Sequence, residues 1–186
     1  MTKIVLQSPW LKVTNESYIL PNGRRVKDFY IVEKPRYVAV VPFVSASEVL
    51  LVRQYRHGVR RRILNIPMGF VRPGEHPREA AHRELIEEIR MRPTSLRSIG
   101  VFYPAPSFVR LRCHLFIAAG LFPDSTIASD ADEDIAVERW TIDKAVRAVL
   151  HGKIPDLTTA VGILVALRRP MVSVDTSLVE EGTEAG

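Results

Sequence analysis

Apolar positions come in short strand-like runs over the first 60 residues and then switch to helical spacing. Lys12 to Leu20 precedes the turn signal Pro21-Asn22-Gly23, and Arg24 to Val32 follows as its hairpin partner. Tyr37 to Val44 and Glu48 to Gln54 are apolar, β-branched runs bounded by Pro42 and the Ser45 to Ser47 turn, and they predict two more strands. Leu85, Ile86 and Ile89 then form the apolar stripe of a helix whose first turn suits Pro77 and Glu79. Ala80 and Ala81, one turn earlier, are small enough to let a ligand or loop approach. Strands are predicted for Ser95 to Tyr103, Arg112 to Ala118 and Ile135 to Thr141. Asp143 to Leu150 and Leu157 to Leu167 carry helical spacing, with Asp156 or Thr158 near a start. Strands on both sides of a central helix, closed by further helices, predict an α/β sheet covered on both faces. The polar stretch from Val172 to Gly186 predicts disorder.

Composition fits one enzyme domain. The chain has 186 residues, 46% of them apolar, enough for a substantial core. Its one cysteine, Cys113, excludes an internal disulfide framework and reads as a small buried hydrophobe of a reducing cytoplasm. The N-terminus lacks a signal-peptide apolar stretch, and no run approaches membrane-spanning length. The net charge of +5 invites a nucleic-acid reading. Much of it sits in Arg53, Arg56, Arg60, Arg61 and Arg62, and arginine forks suit the oxygens of a small diphosphate equally well. No aromatic-interleaved platform or helix-turn-helix pattern accompanies them, so dedicated nucleic-acid binding is not expected.

The chemistry concentrates between Gly69 and Met91. On a helix Glu84 and Glu88 lie four apart and Glu87 three from Glu84, so all three share one face. Like charges at that spacing repel by about 0.2 to 0.5 kcal/mol per pair. An acidic helix face bathed in water is one outcome. The other is an array of hard oxygen ligands for Mg²⁺ or Mn²⁺, which turns the repulsion into a site.

The wider spacing separates these outcomes. Gly69, five residues, Glu75, seven residues, then Arg83-Glu84-Leu85-Ile86-Glu87-Glu88 resembles the Nudix box at every defining position except the last glycine, which is Arg90 here. The resemblance implies a metal-dependent hydrolase of nucleoside diphosphates linked to another moiety. It implies that Glu84, Glu87, Glu88 and the Met68 carbonyl ligate metal, and that Glu75 and Arg83 form a bracing pair. It implies a Nudix-type α/β/α sandwich with a mixed sheet over residues 41–170, an N-terminal antiparallel β element over 1–40, and a tail over 171–186. Leu51 to Arg56, Leu64 to Gly69, Pro106 and Gly152 to Leu157 resemble the ADP-ribose pyrophosphatases in particular, a likeness covering residues 15–168.

That likeness implies a nucleotide-sugar substrate, ADP-ribose foremost, cleaved to AMP and ribose 5-phosphate. Asn65 and Met68 stand where the group has Glu and Ala, and Arg110 and Arg112 occupy a loop that commonly carries an acid. Another sugar nucleotide such as GDP-mannose, a non-catalytic ligand sensor and an RNA-end pyrophosphohydrolase are the alternatives. The catalytic set is then Glu84, Glu88 and a carboxylate base from an outside loop; Glu133 leads there, beside Asp132 and Asp134. Arg53, Arg56 and Arg110 are candidates for gripping phosphate, and Phe29 or Tyr30 for stacking on the base. Relatives of this kind pair through the N-terminal strands, so a homodimer is expected. Trp10, Tyr18, Phe29, Tyr30 and Tyr37 are more aromatic surface than one hairpin buries alone.

Overall fold

The computed structural model describes residues 2–126 and 134–168. Two sheets carry these residues. The smaller has the order β1-β2-β3-β9, from β1 (Thr2–Gln7), β2 (Lys12–Ile19), β3 (Arg25–Glu33) and β9 (Val109–Arg110). The larger is built from β4 (Tyr37–Ser45), β5 (Glu48–Arg56), β8 (Met91–Phe102), β10 (Cys113–Pro123) and β11 (Ile135–Thr141) in the order β11-β5-β4-β10-β8. Two short strands extend it, β6 (Arg61–Asn65) on β5 and β7 (Met68–Phe70) on β4. The β4–β10 pairing is parallel and the other pairings of this sheet are antiparallel, so the sheet is mixed.

Both faces of the larger sheet are buried, for a reason visible in its strands. Pleating sends Val38 and Val40 to one side and Ala39 and Val41 to the other, and all four are fully buried. A strand covered on both faces reads as an unbroken apolar run rather than an alternation. Helix α1 (Pro77–Ile89) covers one face with Ala80, Ala81, Leu85 and Ile89. Helices α2 (Ile142–Leu150) and α3 (Leu157–Arg168) cover the other with Ala145, Ala148, Ile163 and Ala166. The result is an α/β/α sandwich in which each buried Val, Leu or Ile contributes roughly 1.5 to 3 kcal/mol. Cys113 lies in the second layer, where burial pushes its thiol up to about 11.

Several expectations need correction. Ala80 and Ala81 are fully buried against the sheet, so their small size serves close helix–sheet packing and not ligand access. Pro42 lies inside β4, where it aligns with Ala118 at the end of the parallel pairing; β4 then passes to β5 through Phe43 and Val49. The arginine-rich stretch before the box is the strand β6, because Arg61 to Asn65 pair in register with Val52 to Arg56. Helix α1 stops at Ile89, and Arg90 takes the left-handed conformation at φ 59° while β8 starts at Met91. Thr2–Gln7 is a strand that the N-terminal pattern did not announce.

Candidate active site

The turn into α1 is held by its own side chains. Glu75 accepts a hydrogen bond from the Arg72 backbone N–H at 2.8 Å, and Gly74 supplies a left-handed residue at φ 78°. His76 caps the helix by accepting from the Arg78 N–H at 3.2 Å, and Glu79 reaches back to the His76 N–H at 3.0 Å. Pro77 occupies the first helical position, where no backbone donor is needed.

Arg83 organises the acidic face. Its Nε and Nη2 donate to the two Glu75 oxygens at 2.8 and 3.1 Å, and Nη2 also donates to the Phe70 carbonyl at 2.9 Å. Nη1 donates to Glu84 Oε1 and Glu87 Oε2, both at 2.6 Å. Burial opposes charge on Arg83, but the Glu75 and Glu84 carboxylates more than offset it and hold the guanidinium above its usual value. In return the Arg83 hydrogen bonds hold the Glu75 carboxyl below the usual carboxylate range. One buried cation therefore lets two like charges stand side by side. Arg72 adds a second contact to Glu87 at 3.0 Å.

Strand β7 supplies the other wall. Its antiparallel register on β4 sets Met68 opposite Ala39 and Gly69 opposite Val38, which brings the backbone at Gly69 against α1. Glu84 and Glu88 are nearly buried there, 7% and 6% exposed. The Met68 N–H points at Glu88 Oε1 from 3.5 Å. A Cβ on Gly69 would lie 2.0 Å from Glu84 Oε1. The absent side chain is thus a cradle for that carboxylate. Among the described residues no three Asp, Glu, His or Cys side chains converge as a finished ligand set, because Arg83 holds Glu84 and Glu87. The donors are all hard oxygens with bare backbone beside them, and that chemistry fits Mg²⁺ or Mn²⁺.

The remaining sequence candidates separate. Arg56 lines a pocket of about 380 Å³ that also touches Met68, Gly69, Tyr37 and Phe70. Arg53 instead pairs with Glu138 at 2.5 Å. Arg110 donates to Glu16 and Glu33 at 2.7 to 2.9 Å and ties β9 to the N-terminal sheet. Phe29 meets Tyr18 edge-on, and Tyr30 is exposed on β3; neither lines the pocket. Asn65 is buried and accepts a long 3.4 Å hydrogen bond from Arg56 Nε. Asp134 pairs with Arg62, while Asp132 and Glu133 lie outside the described residues. Sequence reasoning missed Asp156 and Thr158 as pocket residues, since their pattern announced only a helix start.

Comparison with known proteins agrees with this geometry. The NUDIX domain family matches residues 33–157. An ADP-ribose pyrophosphatase of Bacillus subtilis (strain 168) is 34% identical over 149 residues, 80% of each chain. A methanol dehydrogenase activator of Bacillus methanolicus is 30% identical over 163 residues, 87% of this chain and 88% of the relative. The crystal structure of an ADP compounds hydrolase superposes with a TM-score of 0.78 over 91% of each chain at 24% identity, a likeness of fold. The chain belongs to the Nudix family. Within it the protein is a Nudix pyrophosphatase of the ADP-ribose pyrophosphatase-like group, and Nudix hydrolases in general use divalent metal ions. Among the described residues no helix is long and apolar enough to cross a membrane.

Proposed function

We propose that the protein hydrolyses the diphosphate of a nucleotide sugar with Mg²⁺ as cofactor, and that ADP-ribose is its preferred substrate. The observation that carries this reading is the pocket that Arg56 lines: Met68 and Gly69, which line it too, are the backbone against which Glu88 and Glu84 lie. Similarity to the ADP-ribose pyrophosphatase of Bacillus subtilis supports the choice of ADP-ribose. Glu84, Glu87, Glu88 and the Met68 carbonyl would hold the ion, which would supply an acidified water and charge stabilisation on the phosphates.

The chain's own residues do the rest. Arg56 offers a planar cation to a phosphate oxygen, and its Asn65 partner is neutral, so its charge is not cancelled. Arg83 and Glu75 keep Glu84 and Glu87 oriented on the helix. Apolar walls from Tyr37, Ile63, Met68 and Phe70 exclude water from the bound diphosphate. A carboxylate of Asp132, Glu133 or Asp134, Glu133 first, takes the proton of the attacking water. One P–O–P linkage breaks and two monophosphates leave, AMP and ribose 5-phosphate.

The same reading includes a homodimer built on the N-terminal sheet. Strand β1 is an edge strand with Ile4, Val5 and Leu6 exposed, and Trp10 beside it is 71% exposed. An apolar edge of that kind invites a partner strand. The deciding assay incubates the protein with Mg²⁺ and ADP-ribose, GDP-mannose or capped RNA, and measures monophosphate release. Fastest turnover of ADP-ribose is expected. Preference for another sugar nucleotide or for RNA overturns the substrate.

A further inference from the structure

We propose that Asp156 sets substrate selectivity by accepting hydroxyl hydrogen bonds from a ribose 5-phosphate unit seated in the pocket beside the box. The inference rests on the nucleotide-sugar reading above and names which side chain recognises the sugar.

Asp156 stands immediately before α3, and its Oδ2 is fully committed. It accepts from the Thr159 N–H at 2.7 Å and from the Thr159 hydroxyl at 2.6 Å. The same Thr159 hydroxyl oxygen accepts from the Ile66 N–H at 3.1 Å, and Thr159 is fully buried. The carboxylate is therefore pinned, through one threonine, to the backbone three residues before Gly69. Its position relative to the box is set by the packed core and not by a mobile surface rotamer.

The other oxygen, Oδ1, has no partner among the described residues, and Asp156 lines the pocket. Capping α3 needs one oxygen, so the second oxygen of this half-buried residue is free to meet a ligand. A carboxylate is an acceptor only, and it is matched by a ligand that brings donors. Arg56 lines the same pocket and offers a cation that suits a phosphate. A nucleobase brings no anion, and inorganic phosphate offers only its one or two P–OH groups as donors. A ribose carrying a 5-phosphate brings both, with hydroxyls on the ring for Asp156 and phosphate for Arg56. Thr158, whose hydroxyl is 2.7 Å from that of Tyr37, lines the pocket next to Asp156 as a further polar group.

Both halves of ADP-ribose contain this unit, so the experiment separates the terminal ribose from the adenosine ribose. Wild type and Asp156→Asn are compared on ADP-ribose, on an analogue with 2-deoxyribose at the terminal sugar, and on 2′-deoxyadenosine diphosphate ribose. Binding of ribose 5-phosphate and of AMP is measured in parallel by calorimetry. The substitution should raise KM for ADP-ribose about tenfold, as loss of a charged hydrogen bond requires, with kcat within about twofold. The analogue lacking the recognised hydroxyl should show the same KM in both enzymes and so identify the ribose. Asp156→Ser keeps a capping oxygen and should show the same selectivity, which guards against a folding defect in the first variant.

An unchanged KM, or a rise equal on all three substrates, overturns the assignment. Should wild type prove inert on every sugar nucleotide, the function reading fails on its own. The calorimetry then decides the Asp156 assignment: weaker ribose 5-phosphate binding in both variants supports it, and unaltered binding overturns it.

Discussion

Gly69 and Glu84 interlock: the glycine's missing side chain is the space that the glutamate carboxyl group fills, since a Cβ would lie 2.0 Å from Glu84 Oε1. Gly69→Ala therefore displaces a carboxylate without opening the core. Stability should fall by no more than about 1 to 2 kcal/mol, because the colliding group is a side-chain end. Turnover should fall at least about 100-fold as the proposed ligand moves. Thermal melts beside kcat at saturating Mg²⁺ check both halves. Full activity would mean that Glu84 holds no ion.

Glu88→Gln tests the proposed metal site more directly. The substitution keeps the shape of a side chain that is nearly buried on α1 and removes its charge. Turnover at limiting Mg²⁺ should fall by roughly two orders of magnitude or more, with only a small change in melting temperature. Wild-type activity across a Mg²⁺ titration would sink the assignment.

Arg90 occupies a conformation that suits glycine. At φ 59° its Cβ costs about 1 to 2 kcal/mol, against about 0.5 to 1 kcal/mol for the extra unfolded-state freedom of glycine. Arg90→Gly should therefore stabilise the fold by roughly 0.5 to 1 kcal/mol and leave kcat alone. Urea denaturation reads the difference. A clear loss of stability would show that the arginine side chain contributes more than the backbone strain removes.

Acid should loosen the brace of the site. The Arg83 hydrogen bonds hold the Glu75 carboxyl below its usual range, so its contribution is present above the unfolded pKa, about 4.3, and is lost as pH falls through the lower folded value. Urea midpoints should drop on acidification below about pH 4.3. Glu75→Gln should lose stability at neutral pH and show a shallower acid slope. An identical slope in the variant would remove Glu75 from the linkage.

Sedimentation at micromolar concentration tests the dimer. Wild type should sediment as a dimer of the 21.0 kDa chain, and Ile4→Asp with Leu6→Asp should give the monomer by charging an exposed apolar edge. A fully active wild-type monomer would end the idea.

The sequence by itself determined what depends on short spacing. Gly69, Glu75, Arg83, Glu84, Glu87 and Glu88 sit at offsets that one loop and one helix convert into shared position, and the Nudix resemblance carried by those offsets implied the Arg83–Glu75 contact. The strands β4, β5 and β10 were readable for a similar reason: burial on both faces demands apolar runs wherever the chain goes. Tertiary structure decided what depends on distant partners. Arg53, Arg56 and Arg110 look alike in sequence, yet Arg53 meets Glu138, Arg110 meets Glu16 and Glu33, and Arg56 alone of the three lines the pocket. The pocket draws Tyr37, Arg56, Met68, Leu111 and Asp156 from separate segments. Strand β6 shows the same limit, since its exposed arginines mask the strand pattern, and the ladder to β5 together with burial of Leu64 forms it. Local spacing constrains residues within a few turns of each other, whereas the electrostatic fate of a side chain depends on which remote surface the fold brings to it.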